Sequence, residues 1–228
     1  MTLHIYDELE QGSPAWHDQR RGIVTASVVG KLLTPTLKVA DNEKTRTHVW
    51  ELAAQRITGY TEPSYIGDDM LRGWEDEAYA RAAYEAHTKQ PVTEAGFITN
   101  DQWGFTIGYS PDGLVGDDGL IECKSRRQKF QVQTVVEWAR GGKMPDDFVL
   151  QCQTGLLVTE RKWLDFVSYS GGMRMPIIRV EPDPAIQEAI ITAAAAFEAK
   201  VCAAVVEYEA ASGGFPMTER RVVEEMHL

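Results

Sequence analysis

Three charged side chains within residues 110–125 (SPDGLVGDDGLIECKS) could together bind a metal ion and activate a water molecule. Asp112 follows a proline, nine residues separate it from Glu122, and Lys124 comes two positions later. If GLIECKS is a β-strand, its side chains alternate between two faces, so that Glu122 and Lys124 point the same way while Cys123 faces a core. The GDDG turn would then fold Asp112 back towards Glu122.

This arrangement suits metal-assisted hydrolysis of a phosphodiester. Two carboxylates at close range are typical ligands of Mg²⁺, which prefers oxygen donors, and the backbone carbonyl of Cys123 offers a further oxygen. The ammonium group of Lys124 can orient a water molecule, help it lose a proton, or neutralise charge that grows on the phosphate. Taken alone, however, a Glu-x-Lys tripeptide is more often an exposed ion pair at a hairpin edge.

The composition indicates a single globular domain over residues 1–228, with a core from about residue 12 to 211 and a short C-terminal tail. The N-terminal segment is acidic and has no apolar region typical of a signal peptide. No apolar run approaches the ~18 residues that a membrane span needs. The three scattered cysteines favour reduced thiols in a cytoplasm and disfavour a cysteine-ligated zinc or iron–sulfur site.

The net charge is −11, from 23 basic and 34 acidic residues, which disfavours a protein that simply coats nucleic acid. It is compatible with an enzyme that meets phosphate through a local patch and metal ions. The basic run KSRRQK, residues 124–129, is such a patch and directly follows the charged motif. A basic run by itself is usually a solvated face.

The periodicity of apolar residues predicts a mixed α/β fold around a small central sheet. Strands are predicted at FITN, WGFTIGYS, GLIECKS, WLDFVSYS and PIIRV. Helices are predicted to begin at Thr25, Thr45, Asp69, Gln131, Asp146 and Asp183-Pro184. The second of these is expected to stop at Gly59, and the last at Gly213-Gly214.

The spacing of Pro111-Asp112 and Glu122-Cys123-Lys124 matches the PD-(D/E)xK nuclease signature, and the phrase SPDGLV…LIECKS resembles the lambda-exonuclease, or YqaJ-type viral recombinase, family. Three further blocks resemble the same family in the same order over about 150 residues: AWHDQRRGIVTAS (15–27), RGWEDEAYARAAYE (72–85) and LQCQTGLLVT (150–159). The resemblance implies a restriction-endonuclease-like core, in which helices flank a small mixed β-sheet.

The resemblance also implies roles for individual residues. Asp112 and Glu122 would bind the metal, and Lys124 would be the catalytic lysine. Aligning Gly73 with the family's glycine places a further acidic ligand at Glu77, and the glutamine helix offers Gln151 as a catalytic helper. Shifts in these alignments would instead select Glu75, Asp76 or Gln153.

Three residues match family positions that hold the 5′-terminal phosphate of the substrate, namely Arg20, Ser27 and Ser110. A guanidinium group suits phosphate oxygens, and Ser27 is expected in the first turn of a helix, where free backbone N–H groups favour an anion. A family arginine after the catalytic lysine has no counterpart, because Phe130 occupies its position. Lys129 is the expected substitute. The alternatives are Arg126 or Arg127 there, and Arg21 in place of Arg20.

The activity that the resemblance implies is Mg²⁺-dependent degradation of one strand of linear double-stranded DNA, from 5′ to 3′, in phage-type recombination. One or two Mg²⁺ ions are expected, with Mn²⁺ as a substitute. The expected partners are DNA ends with a 5′ phosphate, two more copies of the chain in a homotrimer, and a single-strand annealing protein. No association with a membrane is expected. The expected location is the cytoplasm of a bacterium that carries the phage or prophage. The alternatives are a PD-(D/E)xK endonuclease and a catalytically inactive DNA-end-binding protein.

Overall fold

The computed structural model describes residues 2–63 and 67–220, which form two small mixed β-sheets flanked by helices. The strands are β1 (Leu3–Tyr6), β2 (Val24–Thr25), β3 (Phe97–Asn100), β4 (Ile107–Tyr109), β5 (Gly113–Val115), β6 (Gly119–Ser125), β7 (Trp163–Tyr169) and β8 (Ile177–Val180). The α-helices are α1 (Pro14–Arg20), α2 (Glu43–Thr58), α3 (Asp68–Thr88), α4 (Gln128–Gln133), α5 (Val149–Thr159) and α6 (Pro184–Ser212).

The first sheet has the strand order β1-β3-β4-β2 and the second has the order β5-β6-β7-β8. Only β2–β4 and β6–β7 are parallel among these described pairs. The β6–β7 crossover contains α4 and α5, as a parallel pair requires. One central sheet was expected, but the chain leaves the first sheet after β4. Pro111 follows there, and a proline cannot donate to a continuing strand ladder.

Strand β6 separates two hydrophobic clusters of the core. Leu120 belongs to the main cluster, whereas Ile121 and Cys123 belong to a smaller cluster with Tyr84 of α3 and Val167 of β7. The alternation predicted for GLIECKS is therefore confirmed, with Cys123 on the core side opposite Lys124. Because α3 packs on β6 and β7, the acidic face of this helix is held next to the charged end of β6.

Helix α6 begins and ends where the sequence predicts. The carboxylate of Asp183 accepts from the N–H groups of Ala185 and Ile186, and Pro184 occupies the first turn. Its inward face, with Ile190 and Phe197, packs into the main core beside α2 and α5. By length and apolar composition α6 is also the one described helix that could cross a membrane, although core helices of soluble proteins pass the same test.

Helices α2 and α3 have nearly their predicted bounds, and Gly59 ends α2 in the left-handed region at φ 62°. The helix expected from Thr25 is instead a 3-10 segment, Ala26–Lys31. Thr25 is paired with Gly108 in the first sheet, and its hydroxyl contacts Ser27 rather than capping a helix.

The helix expected over residues 131–140 is interrupted. After α4 the chain forms a π-helical turn, Thr134–Trp138, and then a 3-10 turn, Ala139–Gly141. The hydroxyl of Thr134 donates to the carbonyl of Phe130, a local bond that bends or interrupts regular helices. Strand β1 and helix α1 were not predicted as elements. Most of the expected C-terminal tail, residues 221–228, lies outside the described residues.

Candidate functional site

The site is built around the ion pair of Glu122 and Lys124 at the end of β6. The Lys124 ammonium donates to Oε1 of Glu122 at 2.6 Å. The Glu122 side chain is only 1% exposed, whereas that of Lys124 is 23% exposed, so the pair meets solvent through the lysine side chain. Burial alone would lower the pKa of Lys124, but the negative charges of Glu122 and Asp112 raise it above its usual value. Lys124 is therefore held as a cation.

Glu122 is held by side chains from three elements. The hydroxyl of Tyr109, at the end of β4, donates to Oε2 at 2.7 Å, and the amide of Gln151, in the first turn of α5, donates to Oε1 at 2.5 Å. Tyr109 is fully buried, and burial raises the pKa of its hydroxyl well above the usual value, so it remains a donor. Sequence reasoning missed Tyr109, although it directly precedes the Ser110-Pro111-Asp112 phrase.

Asp112 lies at the start of β5, beside the middle of β6. Its Oδ2 accepts from the backbone N–H of Cys123 at 2.6 Å, which places the carboxylate next to the Glu122 strand. Burial raises the pKa of Asp112 well above its usual value, and the negative charges of Glu122 and Glu77 act in the same direction. The three carboxylates therefore repel one another and would gain from a shared cation.

Asp112, Glu122 and Lys124 form a charged cluster, and Glu77 is the acidic residue of α3 that belongs to it. Burial raises its pKa, and Glu122 adds to that effect while Arg81, which contacts Glu77 at 3.3 Å, opposes it. The neighbouring Asp76 accepts from the hydroxyl of Ser125 at 2.5 Å instead, and Glu75 is exposed. The geometry favours Glu77 over its two neighbours as the third carboxylate.

The two glutamines of α5 have different surroundings. Gln151 contacts Glu122, as described above. Gln153 faces the other way, donates to the carbonyl of Glu181 and accepts from the N–H of Asp183, both at 2.8 Å. Gln153 therefore connects α5 to the start of α6, and only Gln151 reaches the charged cluster.

The oxygen donors of this cluster are of the kind that Mg²⁺ prefers. As placed in the described residues, no three Asp, Glu, His or Cys side chains converge into a closed set of metal ligands. Glu122 instead uses both carboxylate oxygens to accept from Tyr109, Lys124 and Gln151. When Asp112, Glu122 and Glu77 are all ionised, their three negative charges still exceed the two positive charges of Lys124 and Arg81, so the donor chemistry fits a divalent cation.

A second group of polar side chains lies next to Asp112, on the other side of Pro111. The Ser110 hydroxyl accepts from the guanidinium of Arg20 at 2.8 Å and from the indole N–H of Trp16 at 3.0 Å. The Arg20 guanidinium stacks on Trp16, 4.0 Å from its ring centroid. Burial lowers the pKa of Arg20 to about 10, so it remains a cation at neutral pH. Trp16 thus combines a hydrogen bond to Ser110 with a stacking contact to Arg20.

The remaining predicted phosphate ligands are less closely engaged with this group. Ser27 is exposed on the 3-10 segment, which is too short to act as the helix terminus that the sequence analysis expected. Pairing of β2 with β4 nevertheless brings Thr25 beside Gly108, two residues before Ser110. Arg21, the alternative to Arg20, pairs with Asp18.

The basic residues after Lys124 separate into three environments. Arg127 donates to Asp69 of α3 at 2.8 and 3.0 Å. Lys129 is exposed, with its ammonium 4.7 Å from the centroid of the Phe130 ring. Arg126 lies between the rings of Phe130 and Phe148, 5.2 Å from each centroid. Arg126 therefore shares the Phe148 ring with Lys124, and Lys129 lies at the Phe130 ring, while Arg127 is used in an ion pair.

Comparison with known proteins supports one family. Residues 15–162 match the model of the YqaJ-like viral recombinase domain. The structure of an alkaline exonuclease, LHK-Exo, from Laribacter hongkongensis is 34% identical with a TM-score of 0.76, covering 88% of this chain and 99% of that one. LHK-Exo in complex with dAMP is 35% identical, with the same coverage and TM-score.

A phage-related exonuclease from Haemophilus somnus 129PT is 14% identical with a TM-score of 0.57, covering 81% of this chain and 96% of that one, and shows the fold alone. No curated protein sequence matches significantly. These findings confirm the predicted PD-(D/E)xK-type fold class, a mixed α/β core flanked by helices. The family match covers more than half of the chain, in the region that contains every residue of the charged cluster, so the chain belongs to the YqaJ-like viral recombinase family.

Proposed function

We propose that this protein is a Mg²⁺-dependent exonuclease that degrades one strand of linear double-stranded DNA in the 5′-to-3′ direction. The observation that carries the proposal is the buried Glu122, which contacts both Lys124 and Gln151 at a solvent-facing opening beside Asp112. The 34%-identical alkaline exonuclease supports the reaction class, and the dAMP complex of that protein supports a nucleotide ligand.

Each residue of the cluster has a role in the proposed reaction. Asp112, Glu122, Glu77 and the carbonyl of Cys123 would hold one or two Mg²⁺ ions, with Mn²⁺ as a substitute. Bound Mg²⁺ would supply Lewis-acid chemistry at the phosphate and lower the pKa of a coordinated water. Lys124 orients the attacking water and stabilises negative charge on the phosphate, since its pKa is raised and it is the exposed end of the site. Gln151 positions Glu122 and the water.

The group around Ser110 would bind the 5′-terminal phosphate of the substrate. Arg20 offers a guanidinium group that is already oriented by Trp16 and Ser110. Because Ser110 is two residues from Asp112, a phosphate bound there would position the neighbouring phosphodiester at the metal site. Ser27 and Lys129 would contribute from the two flanking segments. A 5′ phosphate held by this group would set the cutting register.

The wider biology of the family extends the proposal. We expect a single nuclease domain that assembles into a ring-shaped homotrimer around DNA, acts with a single-strand annealing protein and works in the cytoplasm of a bacterium that carries the phage or prophage. Family membership supports these features. Light scattering coupled to size-exclusion chromatography would measure the assembly, and a monomer in solution would contradict the ring.

The activity is tested with linear duplex DNA labelled on one 5′-phosphorylated strand, a circular duplex, and reactions in Mg²⁺ or EDTA. We expect release of label from the linear DNA only, with loss of release in EDTA and in Lys124→Ala. The matched control is Lys162→Ala, which removes an exposed lysine paired with Asp118 and should retain activity.

Two outcomes would replace the proposal with its alternatives. Cleavage of the circular duplex would indicate a PD-(D/E)xK endonuclease. Binding of DNA ends without any product in Mg²⁺ or Mn²⁺ would indicate an inactive end-binding protein. A separate outcome concerns direction. If a label at the 3′ end of a strand is released before a label at its 5′ end, the protein degrades DNA in the 3′-to-5′ direction.

A further inference from the structure

A partly exposed aromatic ring with two cations near it lies beside the charged cluster. Phe130, in α4, is 40% exposed. The ammonium of Lys129 lies 4.7 Å from its ring centroid, and the guanidinium of Arg126 lies 5.2 Å from it. A ring left partly in water beside two cations is unusual for a core residue and typical of surfaces that bind single-stranded nucleic acid.

This group is continuous with the proposed catalytic site through Phe148. The Lys124 ammonium is 5.6 Å from the centroid of the Phe148 ring, and the Arg126 guanidinium is 5.2 Å from the same centroid. Cations and aromatic rings therefore alternate along a path from Lys124 past Phe148 and Arg126 to Phe130. A strand whose scissile phosphate is at Lys124 would have its neighbouring nucleotides along this path.

Arg126 has hydrogen-bonding capacity that the protein does not use. Within the described part of the chain its Nε is buried and has no hydrogen-bond partner. Burial lowers the pKa of Arg126, which the nearby carboxylate of Asp147 only partly offsets. A half-buried guanidinium that has no acceptor among the described residues gains from an anion at its exposed N–H groups, and a phosphate oxygen is the acceptor that its planar geometry suits.

We propose that Phe130, Arg126 and Lys129 form a stacking platform for the DNA strand held at the catalytic site, with a base on the Phe130 ring and the adjacent backbone phosphate on Arg126. The chain has a net charge of −11, so its overall charge repels an anionic strand. This local cluster of cations is therefore the place where such a strand would be attracted. The inference rests on the proposed DNA substrate and adds how the strand is gripped beyond the reacting phosphate.

The experiment measures binding of a fluorescent, 5′-phosphorylated single-stranded oligonucleotide in EDTA, by anisotropy. Phe130→Ala should weaken binding roughly tenfold, whereas Phe130→Trp should retain it, because stacking needs only an aromatic face. Arg126→Gln should weaken binding and make it less dependent on salt. The matched control is Val136→Ala, which shortens a 62%-exposed apolar side chain further along the same segment and should bind like wild type.

A second assay separates the platform from the catalytic centre. Hydrolysis of a p-nitrophenyl ester of a mononucleotide in Mg²⁺ involves no neighbouring base, so Phe130→Ala should hydrolyse it at the wild-type rate. If wild-type protein binds and degrades DNA but Phe130→Ala binds as tightly as wild type, the platform is wrong and the exonuclease proposal survives. If wild-type protein neither binds nor degrades DNA, the proposed function itself is wrong.

Discussion

At the scale of single residues, Glu122 is the most constrained member of the site. Its carboxylate is buried and accepts from Tyr109, Lys124 and Gln151, which come from β4, β6 and α5. A buried carboxylate costs folding free energy unless each oxygen is paired, so these donors both stabilise the charge and fix its orientation. Tyr109 matters most among them, because it holds the oxygen that Lys124 and Gln151 do not contact.

Tyr109→Phe should weaken binding of divalent cations without unfolding the protein. The variant keeps the ring and removes only the hydroxyl that orients Glu122, and loss of such an outer partner typically costs about tenfold or more in metal affinity. The measurement is the rise in melting temperature with added Mg²⁺ or Mn²⁺. Tyr84→Phe is the control, since it removes a buried hydroxyl that bonds Asp165 instead. Equal metal responses in both variants would contradict the role of Tyr109.

His48 should make folding stability dependent on pH. It is buried on α2, its ring stacks on Phe197 at 5.3 Å, and its Nδ1 lies 2.6 Å from Glu51. Burial lowers the pKa of His48 by more than the hydrogen bond to Glu51 raises it. The unfolded chain therefore binds the proton more strongly than the folded protein does, and this contribution is complete above about pH 6.5 and lost as the pH falls through the lowered value.

Urea unfolding of wild type and His48→Gln between about pH 8 and pH 5 measures this contribution. The unfolding free energy of wild type should fall more steeply on acidification than that of the variant. Parallel curves for the two proteins would show that His48 titrates alike in both states.

At the scale of elements, α5 connects the charged cluster to the core. Gly155 in this helix allows close packing, because a Cβ there would lie 2.7 Å from Cζ of the Tyr109 ring. Gln151 faces Glu122, while Gln153 bonds the backbone at the start of α6. One helix thus positions a side chain at the site, supports the tyrosine behind it and secures the next helix.

The two glutamines should respond to substitution in opposite ways. Gln151→Ala should lower nuclease activity at least tenfold with little loss of stability, because its side chain is partly exposed and supports Glu122. Gln153→Ala should remove the two hydrogen bonds that its buried side chain makes to the backbone of Glu181 and Asp183. At about 0.5–1.5 kcal/mol for each bond, the unfolding free energy should fall by about 1–3 kcal/mol, with activity retained below the melting temperature. Urea unfolding and the linear-duplex assay on both variants provide the comparison, in which a reversed result would reassign the site glutamine.

At the scale of the whole molecule, charge is distributed unevenly. The chain has a net charge of −11, yet Lys124, Arg126 and Lys129 lie beside the rings of Phe148 and Phe130. Arg20 bonds Ser110, two residues before Asp112. Salt screens exposed charges strongly, whereas binding to phosphates releases counterions in proportion to the number of contacts. Affinity for DNA should therefore depend on these few cations rather than on the overall charge.

The salt dependence of binding to a single-stranded oligonucleotide should show a small number of phosphate contacts. Three or four contacts give a slope of about −2 to −3 in a plot of log affinity against log salt concentration, at about −0.7 for each phosphate. Arg126→Gln should reduce the magnitude of the slope by about that single increment. Arg46→Gln, which removes a surface arginine of α2 paired with Asp41, should leave the slope unchanged. A slope near zero would contradict phosphate binding by these cations.

Much of the fold could be predicted from local patterns. Asp183-Pro184 and Gly213 bound α6, Gly59 ends α2, and alternation along GLIECKS places Cys123 opposite Lys124, because caps and side-chain periodicity act over a few residues. The division into two sheets was not predicted, nor were β1 and α1. Strands β3 and β4 of the first sheet were predicted as FITN and WGFTIGYS, whereas β1 and β2, at the two edges of that sheet, are too short to be recognised alone. Their pairing is decided by contacts distant in sequence.

The same distinction, between what local patterns predict and what distant contacts decide, applies to the site. The sequence by itself determined the motif residues Asp112, Glu122 and Lys124 and the family to which they belong, because these depend on residue type and spacing. The family resemblance had already favoured Gln151 over Gln153 and Glu77 over Asp76, and the tertiary structure added the contacts that separate them. Only the tertiary structure brought Tyr109 to Glu122 and Arg126 to Phe148. The physical reason is that a side chain one or two positions along a helix points in a different direction, and which direction meets the site is decided by how α3, α5 and β6 pack together.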